Sequence, residues 1–508
     1  MSFDIVPYRT PAPRREPEPL PANPDEQTPE QRARLWTAEL SKRLFERQSI
    51  IERHRAYFDG TQPQRFATEA WTEAFGEKFA LRNNWMPMVV SAVVSRMEVQ
   101  GFRLDATDPQ PDDDAWDIWQ ANQMDLMSEV LHTDLVVTGW AYTLVWPDEG
   151  GDPRITVEDP LQAIVMRDPG DRRRILAGLK RWRDLTGRWR AMLFTPDTVW
   201  TLTGGTSAVP ADGWTIEQAE PNPLETVPLV EFLNNPDARL EGHSDLEPVE
   251  ELQDALDKTF ADMLVASEYT AYRQRVLIGG ETPTDEDGEP ITQAEFGINR
   301  LFAIEDGAEI TELSAGDLSN YTKVADTIRT DIAAKTNTPP QQLLGTMVNI
   351  SGDALKAAMD GLVYRARRKH RWCGESWEQT MRLSFRVLGL EEMAIDAETV
   401  WKDPETASEA TRVDALLKLR QLGLPLEAIW ELYGASPQLA KRWMEMMRRE
   451  SHLEGVALGI SGPSGLPVEE PSHDDAAQTK AKADAMGIMI RSGVEPESAE
   501  VDAGRLED

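Results

Sequence analysis

The stretch from Ser351 to about Leu388 reads as one uninterrupted helix, with Ser351 as its N-cap and Asp353 in the first turn, where the helix dipole favours an anion. At about 1.5 Å per residue it would span about 55 Å, a length common in assemblies and rare in small enzymes. The segment before it, Thr336 to Ile350, has the sequence TNTPPQQLLGTMVNI. Pro339 and Pro340 stop any helix entering it, yet Leu343, Leu344, Met347, Val348 and Ile350 are apolar. The chain must therefore accommodate an oily loop between two helices.

The remaining helices are punctuated by conventional signals. Thr28, Pro29 and Gln31 form an N-terminal signature, and Leu35, Leu40, Leu44, Ile50 and Ile51 continue an amphipathic helix to Tyr57, stopping at Asp59-Gly60. Further helices are expected over Asn84–Val99 and Ala115–Val137, separated by an acidic break, Asp108 to Asp114, expected to be a solvated loop. Ser244–Arg273 places Leu246, Val249, Leu252, Leu256, Phe260, Met263 and Leu264 on one stripe, and its acids are expected on a separate, acidic face. Leu318–Lys335 is a shorter helix, and Asp403–Glu450 divides into three at Gly423-Leu424-Pro425 and Gly434-Ala435-Ser436-Pro437.

Between these lies a β-rich region. Ala141–Trp146, Ile155–Glu158, Ala163–Met166, Leu176–Asp184, Trp189–Thr195 and Thr198–Thr203 are short strands separated by turn signals. LKRWRDLTGRWRAMLF alternates as an antiparallel hairpin does, making Trp182 and Trp189 cross-strand neighbours or near neighbours. The 16 tryptophans are expected to serve packing rather than base stacking. Residues 274–314 form a mixed insert with strand-like ends, Arg275–Ile278 and Arg300–Ile304, and a turn at Asp285–Gly288. The class is α+β, mainly helical.

Length and composition limit the function. With 508 residues and 40% hydrophobic side chains, the chain suffices for about three structural units with sizeable cores. Cys373 is the single cysteine, so no intrachain disulfide or cysteine-based zinc site can form. The apolar stretches fall short of the about 18 residues a membrane span needs, and a soluble chain without a membrane partner is expected. The formal charge of −35 disfavours tight binding to phosphate backbones, which needs excess lysine and arginine; its plainest reading is solubility.

Catalytic chemistry is hard to find. Gly-Lys, which closes a Walker A loop, is absent from the sequence, so the chain carries no such ATP motif. The six histidines have no metal-ligand spacing, and no metal site or cofactor is expected. His243-Ser244-Asp245 holds the letters of a hydrolase triad, but contiguous residues cannot turn onto one another, so a loop and helix cap are the better reading. No catalytic residue is assigned, and the chain is read as a non-enzyme.

The order of these parts resembles the portal proteins of tailed bacteriophages, specifically the SPP1-type family. The resemblance covers nearly the whole chain. It rests on Tyr57-Phe58-Asp59-Gly60, on Asn84-Trp85 and the stretch from Val93 to Phe102, on Val137-Thr138-Gly139-Trp140-Ala141-Tyr142, and on Val227 to Phe232 with Asn234-Asn235. Its most specific parts are Thr338-Pro339-Pro340-Gln341-Gln342-Leu343-Leu344-Gly345 and Asn349-Ile350-Ser351-Gly352-Asp353-Ala354-Leu355.

The resemblance implies the portal fold, assembling into a dodecameric ring at one capsid vertex that passes double-stranded DNA without sequence specificity. Residues 28–243 would be the wing, 244–273 and 318–335 the stem helices, 274–317 the clip, 336–350 the tunnel loop, 351–388 the spine helix, 389–402 a return to the wing and 403–455 the crown, between tails at 1–27 and 456–508 that are expected to be disordered. Implied partners are the terminase large subunit at the clip, major capsid and scaffold proteins at the wing, and head-completion or neck adaptor proteins. The implied location is the portal vertex of the virion, after synthesis in the bacterial cytoplasm.

The loop residues Pro339, Pro340, Leu343, Leu344, Met347, Val348 and Asn349 would then line the channel; packing beneath a turn is the alternative for the apolar ones. Lys323, Arg329 and Lys335 are possible channel-facing charges, but steps of six residues turn about 600° and spread them around a helix, so at most one or two can face one side. Intersubunit salt bridges are the alternative. Arg365, Arg367, Arg368, Lys369 and Arg371 would contact a neighbouring subunit or, alternatively, DNA. The competing function is a scaffold or minor head protein that forms no conduit.

Overall fold

The computed structural model describes residues 27–63, 82–104, 110–206, 214–271, 275–278, 301–304, 309–312, 318–339, 352–405, 409–435 and 437–457. It divides into a unit of residues 1–441 and a second of 442–508, the latter described over 442–457, which are helical. The expected tails lie outside the described residues, except at Gln27 and at 456–457, where the last helix continues.

Helix α1 (Pro29–Asp59) opens with the expected capping box: Gln31 N donates to Thr28 Oγ1 at 3.3 Å and Thr28 N to Gln31 Oε1 at 3.1 Å. Gly60 closes it at φ 71°, a left-handed C-cap. The next helix, α2 (Met86–Val94), is shorter than expected, because Val99 onward forms strand β1 (Val99–Arg103). Asn84 Oδ1 caps its start by accepting from Met86 N at 3.0 Å.

The expected single helix over 115–137 is two, α3 (Gln110–Ala121) and α4 (Met124–Thr138). Gln123 between them sits at φ 55°, while Asn122 Nδ2 donates to Ile118 O and Pro153 O, each at 2.9 Å, tying the break to a neighbouring strand. The acidic run is no solvated loop over its described part. Gln110 to Asp114 are helical, and buried Asp112 accepts from Leu104 N at 2.6 Å.

Eight strands follow: β2 (Trp140–Pro147), β3 (Pro153–Glu158), β4 (Ala163–Arg167), β5 (Ile175–Arg183), β6 (Trp189–Phe194), β7 (Thr198–Thr203), β8 (Thr215–Pro221) and β9 (Leu229–Leu233). They build an antiparallel five-stranded meander, β4-β5-β6-β7-β8, and a three-stranded sheet, β3-β2-β9. In the β5–β6 hairpin Trp189 pairs with Arg183 and Trp182 with Arg190, so the two tryptophans are one register step apart and lie on opposite faces. Sequence periodicity passed over β1, β8 and β9, and also β13 (Glu398–Trp401), which pairs with β1 from the far end of the chain.

Helix α5 (Glu250–Ala271) begins six residues later than expected, after Ser244 Oγ accepts from Leu246 N at 3.0 Å. A small sheet follows, with β10 (Arg275–Ile278) parallel to β11 (Leu301–Ile304) and antiparallel to β12 (Glu309–Glu312); the turn expected at 285–288 lies outside the described residues. Then come α6 (Ser319–Lys335), which packs on α5, and the long α7 (Gly352–Val387). A 3₁₀ turn (Glu391–Ala394), β13, and helices α8 (Glu409–Gln421), α9 (Leu426–Tyr433) and α10 (Pro437–Ala457) complete the chain. Ser436, the expected cap of α10, lies outside the described residues.

Three apolar clusters hold the first unit together. Leu40 and Leu44 of α1 pack on Leu179, Leu193 and Leu202 of the meander. Trp140, Tyr142 and Leu229 of the smaller sheet meet Val165, Phe194 and Val199 in a second cluster. The largest joins α2, α3, α4 and α7, with Trp377 of α7 edge-on to Trp119 at 5.0 Å and to Phe232 at 4.8 Å. Trp119, Trp140 and Trp377 are thus core tryptophans.

Candidate functional site

The end of α6 meets the flank of α7 beside the start of the apolar loop segment. Thr336 caps α6 with its hydroxyl on Ile332 O at 2.7 Å, and lies 2.9 Å from Thr338 Oγ1. Asn337 between them takes φ 50°, and Pro339 is buried. Helix α7 comes against this clasp through Gly361, where a Cβ would lie 3.3 Å from the Asn337 Cβ.

One turn beyond Gly361, Arg365 joins three parts of the chain. Its Nε donates to Asp245 Oδ2 at 2.8 Å, one terminal nitrogen to Thr336 O at 2.9 Å and the other to Val89 O of α2 at 3.4 Å. Asp245 Oδ1 accepts from Lys369 Nζ at 2.9 Å, from Asn234 Nδ2 at 2.9 Å and from Asn235 Nδ2 at 2.6 Å. Burial by itself raises the Asp245 pKa, but Lys369 and Arg365 outweigh it and hold the carboxyl well below the ordinary range. A buried carboxylate satisfied on both oxygens by two cations and two amides is a rigid node. Its members come from the loop after β9, the segment before α5, and α7.

These positions correct the expectation for the basic cluster. Arg365 and Lys369 are spent inside the chain on Asp245, with 11% and 3% of their side chains exposed, and do not face outward. Arg367, Arg368 and Arg371 are exposed, and Arg367 pairs with Glu405 at 2.8 Å. Asp245, Gly361 and Asn234 carry this site without having been singled out for it. Only the recurrence of Asn234-Asn235 in the family pattern pointed there, since an isolated aspartate does not announce a lysine 124 residues away.

The acidic face expected over Ser244–Arg273 holds only in part: Glu247 and Glu251 are exposed, but three other acids are not. Glu250, Asp254 and Asp257 do not form a solvent face; each is buried and answered by the chain around α1 and α2. His54 Nδ1 donates to Glu250 Oε1 at 2.6 Å, Tyr57 Oη to Asp254 Oδ2 at 2.7 Å, and Gln62 Nε2 and Asn83 N to Asp257 at 3.0 and 2.9 Å. Successive turns of α5 are thereby stitched to α1 and to the segments between α1 and α2, through side chains that would otherwise be costly to bury.

On α6, Arg329 is not a free charge. Its guanidinium lies over the rings of Trp85 and Phe260 at 4.9 and 5.2 Å and pairs with Asp326 at 2.8 Å. Lys335 Nζ reaches Pro248 O at 3.5 Å. Lys323 is exposed, on the stripe that continues through Thr327, Thr330 and Ala334. The hydroxyls of Thr327 and Thr330 are turned back onto Lys323 O and Asp326 O. Pro340, Leu343, Leu344, Met347, Val348 and Asn349 lie outside the described residues.

His243-Ser244-Asp245 has no triad geometry. Ser244 Oγ donates to Val137 O, His243 Nδ1 faces Glu247 at 3.3 Å, and Asp245 faces Lys369 and Arg365. Among the described residues no group of three or more His, Cys, Asp or Glu is placed to hold a metal ion, and no helix is long and apolar enough to cross a membrane.

The α+β architecture, with a long helix clasped to the end of a helix pair, describes the fold, and comparison with known families assigns the chain to the phage portal proteins. The chain belongs to the family "Phage portal protein, SPP1 Gp6-like", whose model matches residues 80–451. It is similar to the portal protein of Mycobacterium phage D29, with 31% identity over 403 residues covering 74% of this chain and 80% of the relative. The portal protein of Mycobacterium phage L5 is 31% identical over 401 residues, with the same coverage. The family is a structural one.

Proposed function

We propose that the chain is the portal subunit of a tailed phage, assembling into a dodecameric ring at one capsid vertex through which double-stranded DNA is packaged and later ejected. The observation that carries the reading is the pairing of α5 with α6 about a small three-stranded sheet, with α6 ending in the clasp on α7 immediately before the Pro-Pro segment. On this reading α5 and α6 are the stem, 274–317 is the clip that receives the terminase large subunit and later the neck adaptor proteins, α7 is the spine, 28–243 with 389–402 is the wing toward capsid and scaffold proteins, and 403–455 is the crown.

The exposed stripe of α6 supports a conduit role. A channel wall must let a polyanion pass without accumulating phosphate contacts, each of which adds salt-sensitive affinity that the packaging motor must break. Lys323, Thr327, Thr330 and Ala334 offer one cation, and the two hydroxyls are already engaged with the helix backbone. The charge of −35 per chain acts in the same direction wherever acids line the bore, because screening confines each charge to about 8–10 Å.

Negative-stain imaging of the purified chain together with its solution mass tests the ring. With subunits of 57.0 kDa, a ring with an open axis is readily separated from a monomer, and a compact monomer at every salt and protein concentration would overturn the conduit. If Leu343, Leu344, Met347 and Val348 form the constriction, Met347→Lys impairs packaging and leaves ring assembly intact. Normal packaging by that variant would refute the constriction.

A further inference from the structure

Two exposed helix faces on this chain are complementary and have no partner within the described residues. On α7, Tyr364, Arg368, Arg371 and Trp372 fall at i, i+4, i+7 and i+8, one face of the helix. Tyr364 is 64% exposed and Trp372 43%, whereas Trp377, five residues further along the same helix, is buried. Arg368 and Arg371 are exposed and make no ion pair among the described residues, while Asp360 and Glu375 stand at the two ends of the stripe. On α4, Leu126 and Val130, at 63% and 49% exposure, lie at i and i+4 with Glu129 between them and Asp125 beside them; Asp117 of α3 is a further exposed acid. Asp125 already accepts from Trp119 Nε1 at 2.8 Å, which leaves Glu129 as the uncommitted carboxylate of that face.

We infer that these two faces meet between neighbouring copies of the chain, Tyr364 and Trp372 covering Leu126 and Val130 while Arg368 and Arg371 face Glu129; this interface rests on the ring reading above. The charges select the arrangement. Pairing α7 with its own copy would set arginine against arginine, and pairing α4 with its own copy would set carboxylate against carboxylate, so a two-fold dimer through either face is opposed. An α7 face on an α4 face is head-to-tail, the type of contact that closes into a ring. Aromatic side chains flanked by arginine are also the residues enriched at interface centres, where they remove apolar area from water and order little flexible chain.

The test is a charge swap in the full chain, read by solution mass against protein concentration and by negative-stain imaging. Arg371→Glu and Glu129→Arg, each alone, are expected to raise the concentration needed for rings about tenfold or more, and the double variant to restore it toward wild type, since every copy then carries both reversed faces. Both sites are exposed, so circular-dichroism melts should superimpose on wild type and separate an assembly defect from a folding defect. Rings indifferent to either single change overturn the interface alone. Two weakened singles without rescue in the double overturn the pairing of these two faces. A wild-type chain that never forms rings overturns the ring reading and this interface together.

Discussion

Gly361 of α7 approaches Asn337 at the end of α6 so closely that a Cβ there would lie 3.3 Å from the Asn337 Cβ. Gly361→Ala would gain up to about 1 kcal/mol in an unencumbered helix. Here the neighbour has little room to yield, because Asn337 is held at φ 50° and Arg365, one turn on, fastens the adjacent Thr336 carbonyl. The expected outcome is a net loss of about 1 kcal/mol, with faster amide exchange over residues 332–338. A raised melting temperature with unchanged exchange would show that the helices can separate at no cost.

Removing the carboxylate that Arg365 and Lys369 share leaves two cations with no counter-charge in a buried site. Asp245→Asn is expected to cost about 3–5 kcal/mol, seen as a lower melting temperature and a lower denaturant midpoint. Replacing Asp245, Arg365 and Lys369 together by apolar residues of similar volume should cost less than the single change. If the single change is harmless, the node contributes nothing to stability.

Tyr57→Phe deletes only the hydroxyl that donates to buried Asp254 at 2.7 Å. A loss of about 1–3 kcal/mol is expected, the larger end applying where the carboxylate gains no water in exchange. A denaturant titration of the variant against wild type decides it, and identical midpoints would mean that Asp254 is satisfied by other groups.

Acid should loosen the junction of α4 with α7 before it reaches the carboxylate node. His132 is buried with Nε2 accepting from Trp377 Nε1 at 3.0 Å, and burial lowers its pKa from 6.5 to about 3. A group whose pKa is lower folded than unfolded binds its proton more readily in the unfolded chain. Stability is therefore full above about pH 6.5 and falls as pH drops toward 3, by about 3 kcal/mol at pH 4.5 if His132 acts alone. Asp245, also depressed, adds its own loss only below its ordinary value of 3.8. Melting temperatures from pH 7 to 4.5 should fall more steeply for wild type than for His132→Gln; parallel slopes would exclude this histidine.

Cys373 is buried on α7, and burial pushes its thiol pKa up to about 12. The native chain should resist thiol reagents at neutral pH for as long as it stays folded, and yield its one cysteine per chain in denaturant. Rapid labelling of the folded chain would mean that α7 lifts away from its core.

What could be read in the sequence was local. The Thr28–Gln31 capping box, the β5–β6 hairpin, the extent of α7 and the three C-terminal helices were all legible because caps, turns and periodicity act over a few residues. The family was legible for a related reason, since short strings such as Thr338 to Gly345 keep their order and spacing. Periodicity failed where a distant partner sets the outcome. β1 is a strand because Glu398–Trp401 pairs with it, and the α3–α4 break is held by Asn122 reaching Pro153.

Side-chain fate belonged to the tertiary structure. From the sequence, Glu250, Asp254 and Asp257 looked like part of a solvent face and Arg365 and Lys369 like an outward basic patch. Folding brought His54, Tyr57 and Gln62 onto those acids and Asp245 between those cations. A charged residue is stable on the surface by default and stable inside only when a partner arrives from elsewhere in the chain, so composition and periodicity fix that the charges exist while only the packed chain decides which of them meet water.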